Sequence, residues 1–449
     1  MKYYIKTFGC QMNVSDSERI AAVLENNGLK IALNINEADF VVFNTCGVRQ
    51  MAEDRVYGQV RNVKIQNPKS KVILTGCLSD RKDVQRRLKN KVDLFFSIND
   101  FKTFENFVIK NSLKIENFPP KADQPWTEKL KITQRNNNPN KESIAYLSIK
   151  PKHANKFQAY VPIMTGCNNF CAYCVVPYAR GCETSRPANE IISEVKSLVK
   201  NEYKHIILLG QNVNSYSYKK INFSRLLKKV NAIPGHFWIS FVSNHPKDVT
   251  DEMIEMVAKL SKVCECFHLP VQSGNDAIIR KMNRKYTAKQ YLNLVIKIKA
   301  AYKKYKPDKL FSITSDIIVG FPGETKKQFL DSAKVMKKVK YDMLYFGQYS
   351  PRPGTAAWKL KDNVSKTEKT RREKQLNEIL KKTAFANNKN YAGKTFEVLV
   401  ENKKGDFYFG KTRTMKNMKF SAHKVNLAGR FVKVKIVKAT IWNLEGKLV

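Results

Sequence analysis

Three short apolar runs near the amino terminus each end in a cysteine that follows a small residue. YYIKTFGC, DFVVFNTC and KVILTGC finish at Gly9-Cys10, Thr45-Cys46 and Gly76-Cys77. Helical patterns separate them: SDSERIAAVLENNG reads as a capped helix ending at Gly28, and a second helix opens at about Arg49. Strands alternating with helices imply crossovers and a parallel sheet. Parallel strands align their carboxyl ends along one edge, where open α/β sheets bind ligands. Three thiols far apart in sequence therefore converge. One buried structural cysteine at a strand end is common; three in register favour a shared site. The N-terminal region, residues 1–115, is thus expected to be a parallel, Rossmann-like α/β domain.

Residues 111–155 change character. PPKADQPW and QRNNNPNKE are rich in Pro, Asn and charge, which marks a connector, placed at 116–152. From 153 to 386, six strand patterns (QAYVPIMTGC, HIILLGQN, HFWISFVSN, CFHLPVQSG, FSITSDIIVG and DMLYFGQYS) alternate with helical ones. Six β/α units suggest a complete or partial parallel barrel with its chemistry at the carboxyl ends of the strands. Residues 387–449 turn to short alternating strands, TFEVLVENKKGDFYFGKTRT and RFVKVKIVKATIWNLEGKLV, which read as a small antiparallel barrel.

The first strand of the central region runs into GCNNFCAYCVVPYARG, which contains Cys167-x-x-x-Cys171-x-x-Cys174. Three thiolates on one loop can hold three irons of a 4Fe–4S cluster and leave the fourth without a protein ligand, open to a substrate or cofactor. The alternative is a structural zinc with Cys182 as fourth ligand, although zinc sites usually pair two C-x-x-C knuckles. Cys264 and Cys266 flank one residue near a strand start and read as packing. His245 and His268 lie near strand ends and read as satisfied structural groups. No Ser/His/Asp or paired-carboxylate arrangement stands out, so no side chain is singled out as catalytic. Gly-rich nucleotide loops of the GxGxxG or P-loop kind are absent, which argues against ATP- or NAD-dependent chemistry.

Charge enters as support. The chain carries 81 Lys and Arg against 39 Asp and Glu, a net charge of +42. That favours a polyanionic partner, but 63 of the cations are Lys and 18 are Arg, a bias that an AT-rich genome imposes on any protein. The local signal is clearer: residues 391–449 hold 13 Lys/Arg and 4 Asp/Glu, interleaved with Phe407, Tyr408, Phe409, Phe420, Phe431 and Trp442, as single-stranded or stem-loop RNA binding would use. No stretch resembles a signal peptide or membrane span, so a cytoplasmic location and no membrane partner are expected, with the nine cysteines kept reduced.

The C-x-x-x-C-x-x-C loop, with Tyr173 before its last cysteine, resembles the signature of the radical S-adenosylmethionine superfamily. Together with TFGCQMN, NTCGVRQMAE, LTGC, RGCETSRP, SNHP, LPVQSG, GFPGET and SPRPGT, the whole chain is similar to the methylthiotransferases of that superfamily. Within them it resembles the branch that acts on isopentenyladenosine in tRNA. The resemblance implies a radical S-adenosylmethionine partial (β/α)6 barrel followed by an all-β TRAM barrel. It implies one 4Fe–4S cluster on Cys167, Cys171 and Cys174 and a second on Cys10, Cys46 and Cys77. It also implies S-adenosylmethionine contacts at Tyr173, Gly210, Gln211, Asp316 and Gly320. The resemblance further implies two molecules of S-adenosylmethionine, one to methylate sulfur at the second cluster and one to yield the 5′-deoxyadenosyl radical that opens carbon 2 of the adenine. Expected partners are the tRNA anticodon stem-loop and an electron-donor protein, with the enzyme a monomer. Within the family, threonylcarbamoyl-adenosine in tRNA and a ribosomal-protein aspartate are the alternative targets. Outside it, the alternative is a zinc-stabilised, non-catalytic RNA-binding protein.

Overall fold

The computed structural model describes residues 1–47, 50–112, 145–422 and 426–449. Most of the expected connector lies outside the described residues, as does the helix start placed at Arg49. The chain forms two compact units, Met1–His153 with Val175–Thr184, and Ala154–Cys174 with Ser185–Val449.

The first unit is built on a five-stranded parallel sheet in the order Lys30–Ile31, Lys2–Thr7, Phe40–Thr45, Lys71–Gly76, Leu94–Phe95. FVVFNT is the central strand and every residue of it is buried, as an apolar run covered on both faces must be. The two-residue period of a strand divides it. Phe40 and Val42 pack with Ile20, Phe96 and Phe104 on one face, and Val41 and Phe43 with Val56, Val60 and Val72 on the other. Tyr146 and Leu147, within the stretch expected as connector, are buried in the first of these clusters, with Tyr146 stacked on Phe101 at 6.0 Å.

One local expectation is corrected. The first helix spans Gln11–Asn26, with Cys10 as its N-cap, so it starts before SDSE rather than at it. Those polar residues do not cap; they are spent on buried contacts. Ser17 Oγ pairs with Thr7 and Asn44, Arg19 Nη1 donates to Ser15, and Asp16 pairs with Arg180.

The second unit carries six parallel strands in two sheets. Gln158–Pro162, His205–Leu209 and Trp238–Phe241 form one, and Cys266–His268, Ser312–Val319 and Met343–Gln348 the other. A parallel bridge between Ile239 and Val263 joins them. Among the described residues the first and last of these strands do not pair, so this is the partial (β/α)6 barrel expected. Along Ser312–Val319, Ile313, Ser315, Ile317 and Val319 are buried, whereas Thr314, Asp316 and Ile318 stay partly open on the opposite face.

The C-terminal strands close a five-stranded barrel in the order Thr395–Lys404, Phe407–Thr412, Asn417–Ser421, Asn443–Leu448, Phe431–Ala439, antiparallel as expected except that Asn417–Ser421 and Asn443–Leu448 pair parallel. Tyr408 and Phe420 fill its core, while Phe407 is exposed with Lys419 Nζ 3.8 Å from its ring centre. This barrel docks on the amino-terminal ends of the parallel strands. Trp238 opens its strand and packs on Phe431 at 4.9 Å while donating to Glu397. Ser312 opens another and donates to the Thr414 carbonyl at 2.8 Å. Glu265, just before Cys266, accepts from Arg413 at 2.8 Å. Among the described residues no helix is long and apolar enough to cross a membrane.

Candidate functional site

Two cysteine triples are present, and the fold produces them differently. The first lies on the loop after Gln158–Pro162. Cys167 is buried, and Asn169 Nδ2 stands 3.5 Å from its sulfur. The Cys174 amide donates to the Cys171 carbonyl at 2.9 Å, closing a tight turn around Tyr173. The loop is pinned from outside by the segment Met282–Arg284. The Ala172 amide donates to the Met282 carbonyl, Asn283 Nδ2 to the Phe170 carbonyl, and Arg284 Nη1 to Cys171 Sγ at 3.5 Å. The rest of that guanidinium is also in use, with Nη2 on the Pro270 carbonyl and Nε on the Tyr286 hydroxyl. Burial works against the Arg284 charge, but Tyr286, Tyr173 and Cys171 outweigh it and hold the guanidinium protonated. Burial pushes the Tyr173 hydroxyl well above the ordinary tyrosine range. Arg284 thus sets a fixed positive charge beside the loop sulfurs.

The second triple sits at the strand ends of the first unit. Register pairs Thr7 with Asn44 and Thr45 with Gly76, so Cys10, Cys46 and Cys77 leave the sheet side by side. The approach is close. Gly9 has φ +130°, and a Cβ placed on it would meet Cys46 Cβ at 2.8 Å, so this position requires glycine. Asn13, fully buried, ties the edge together: it accepts from Cys10 Sγ at 3.1 Å and donates to Asn44 Oδ1 and the Thr45 carbonyl. Burial pushes the Cys77 thiol up to about 11, with Arg180 opposing and Cys46 and Cys10 adding. Arg180 is buried and donates to Asp16 Oδ2 at 2.6 Å.

The donor sets suit iron–sulfur chemistry. Each is all sulfur, each combines buried and solvent-reached members (Cys171 and Cys174 partly open on the loop, Cys10 exposed at the sheet edge), and each has a buried arginine beside it. None of the nine cysteines is in a disulfide. Among the described residues no three Cys, His, Asp or Glu side chains close on one ion-sized position.

The remaining singled-out residues scatter along the barrel. Gly210 follows the strand His205–Leu209, and a Cβ there would strike Met164 Cγ at 2.6 Å. Gln211 beside it is half-buried. Gly320 has φ +71°, and its amide donates to Glu324 at 2.8 Å. Asp316 lies on the open face of its strand, 3.4 Å from His268 Nε2, while His268 Nδ1 pairs with Thr314 at 2.9 Å. His245 Nδ1 accepts from the Lys247 amide. Cys182 is exposed; Cys264 is buried with Trp238 and Leu399. Sequence reasoning missed Asn13, Arg180 and Arg284. Their signal was present only as polar residues inside otherwise unremarkable helix and loop patterns.

Comparison with known proteins agrees with this architecture. Residues 2–97 match the uncharacterized protein family UPF0004, residues 161–336 the radical SAM superfamily and residues 389–449 the TRAM domain. The chain is 41% identical over 458 residues to a tRNA-2-methylthio-N(6)-dimethylallyladenosine synthase of Clostridium botulinum, covering 99% of this chain and 96% of that one. A protein of the same name from Thermoanaerobacter pseudethanolicus is 39% identical over 100% of this chain and 92% of its own. Among solved structures, the radical S-adenosylmethionine methyltransferase TsrM of Kitasatospora setae, with tryptophan and an S-adenosylmethionine analogue bound, superposes with a TM-score of 0.54 at 11% identity, covering 90% of this chain and 79% of that one. The same protein with cobalamin and a 4Fe–4S cluster bound gives 0.52 at 13% identity, covering 79% and 76%. These two share the fold.

Proposed function

We propose a function from one premise: this chain belongs to the family of the tRNA-2-methylthio-N(6)-dimethylallyladenosine synthases. It is a radical S-adenosylmethionine methylthiotransferase that places a methylthio group on carbon 2 of the prenylated adenosine beside the anticodon. The observation that carries this reading is the second triple. A radical enzyme needs only the loop cysteines, whereas three further thiols gathered at one sheet edge give a separate place to hold the sulfur that is transferred.

In this reading Cys167, Cys171 and Cys174 hold one 4Fe–4S cluster, and Cys10, Cys46 and Cys77 hold another. The clusters and S-adenosylmethionine supply the reducing electron, the methyl group, the carbon-centred radical and the sulfur. The chain's own residues bind, orient and exclude. Arg284 and Asn169 donate toward the loop sulfurs and fix their directions. Tyr173, Gly210, Gln211, Asp316 and Gly320 would border the S-adenosylmethionine site, where the partly buried Tyr173 ring would help exclude water. No side-chain base is required, because the C–H bond at carbon 2 is too weakly acidic for one. The target base must leave the anticodon-loop stack to reach such a site, and the basic C-terminal barrel grips the stem-loop. A protein electron donor, a monomeric state and a cytoplasmic location complete the proposal.

Nucleoside mass spectrometry of tRNA from cells with and without the gene tests it. Loss of the methylthio group with the prenylated adenosine retained is the expected result. An unchanged tRNA profile overturns it.

A further inference from the structure

One buried group is left unused by this reaction scheme. Arg180 ends the short helix Val176–Arg180, which the chain enters immediately after Cys174. Its side chain is 2% exposed and that of Asp16 is not exposed at all. The two meet at a single point, Nη2 to Oδ2 at 2.6 Å. Among the described residues, Nη1 of Arg180 and Oδ1 of Asp16 have no hydrogen-bond partner. An arginine facing a carboxylate normally makes two parallel bonds, and a buried donor left unpaired costs about 1–3 kcal/mol. A guanidinium turned off its fork, with the spare N–H buried, is one that has another acceptor to serve. The helix itself lies against the strand-end site, since a Cβ on Gly47 would meet Val175 Cγ2, at the helix N-cap, at 3.0 Å and Cys77 Cβ at 3.1 Å; besides Asp16 and Tyr146, the groups around the guanidinium are Cys77 and Cys10. Arg284 at the loop triple is the contrast: its three nitrogens are all engaged, one of them on the sulfur of Cys171 itself.

We propose that Arg180 is a positioning residue of the strand-end site, its Nη1 donating to a sulfur that belongs to the bound group and not to the polypeptide. The inference rests on the reading that Cys10, Cys46 and Cys77 hold an iron–sulfur cluster. Asp16 orients the guanidinium, and the free N–H holds the anionic sulfur in one direction. It also favours the more negative, reduced state of the cluster, since hydrogen bonds to cluster sulfur are among the factors that set its potential.

The test uses full-length protein carrying Cys171→Ala, so that only the strand-end cluster reports, with iron content and an anaerobic redox titration followed by electron paramagnetic resonance. The parent should bind about four irons per chain; a parent without them overturns the cluster reading itself, and the proposal with it. Asp16→Asn with Arg180→Met replaces the buried ion pair by neutral groups of similar volume, which such pairs usually tolerate. The expected result is a midpoint potential shifted to more negative values at unchanged iron content, while Asp16→Asn alone, which keeps the donor, shows no such fall. An unchanged midpoint in the double variant at equal iron overturns the proposal, because it leaves Arg180 as a structural tie to Asp16. Should the double variant not fold, Arg180→Lys, which keeps the charge but not the fork, is read in the same way: a lowered midpoint supports the donor role and an unchanged one removes it.

Discussion

The two cysteine triples solve one chemical problem by opposite routes. On the loop, Cys167, Cys171 and Cys174 are neighbours in sequence, and a few external pins from Met282–Arg284 fix the turn. At the sheet edge, Cys10, Cys46 and Cys77 are brought together only when three parallel strands pair in register. The loop site is therefore a local structure stiffened from outside, whereas the edge site is a property of the whole first unit. A C-x-x-x-C-x-x-C spacing announces the former. The latter can be read only by asking where each strand stops.

The largest expected effect separates the two sites by removing one ligand from each. Cys171→Ala should reduce 5′-deoxyadenosine formation from S-adenosylmethionine to background. Cys46→Ala should leave that cleavage measurable while abolishing methylthio product in tRNA. Both are read by chromatography of the nucleosides. Deoxyadenosine release persisting in Cys171→Ala, or methylthio product persisting in Cys46→Ala, would collapse the distinction.

The next effects test whether each site fails in its own way. Arg284→Met removes a buried cation with bonds to Cys171, Pro270 and Tyr286. A loss on the order of 3 kcal/mol is expected, with iron lost from the loop site and retained at the sheet edge. Asn13→Ala strips partners from Asn44 and the Thr45 carbonyl, which should cost about 2 kcal/mol and lower iron at the edge site alone. Denaturant midpoints and iron per chain in the single-cluster backgrounds check both. If either variant depletes the two sites equally, the sites are not independent.

Much of the fold was legible because its signals are periodic. The fully apolar FVVFNT, the six strand patterns of the central region and the alternating C-terminal strands each announce their elements. What was hidden is polar and tertiary. SDSE looks like a helix cap, but its residues are consumed by Thr7, Asn44 and Arg180, contacts that no local pattern encodes. The docking of the C-terminal barrel at the amino-terminal strand ends depends on Trp238 meeting Phe431 and Glu265 meeting Arg413, pairs far apart in the chain. Arginine placement against the lysine-rich background adds to those polar patterns. Of 63 Lys and 18 Arg, the described residues bury three Lys but six Arg: Arg19, Arg180, Arg186, Arg284, Arg352 and Arg372. In a chain whose composition drifts to lysine, arginine persists where a planar fork is needed in a buried place. Both site arginines belong to that set.

The smallest effect distinguishes the two units by acid. In the second unit His205 is buried against Ser240, and burial, with a small contribution from Lys411, lowers its pKa to about 3. His245 is likewise held neutral, by burial and then by Arg284 and Lys247, at about 2. A histidine whose folded pKa lies below its unfolded value binds fewer protons folded than unfolded. Its stabilising contribution is full above about pH 6.5 and falls as the pH drops, by about 1.4 kcal/mol per pH unit for each such group until the folded pKa is reached. Apoprotein in urea should therefore lose the second unit first as the pH falls from 7 to 5, read unit by unit from amide hydrogen exchange. His205→Gln, which can still pair with Ser240, should flatten part of that slope. An equal pH slope in both units, or an unchanged slope in the variant, would show that the acid sensitivity lies in carboxylates common to the whole chain.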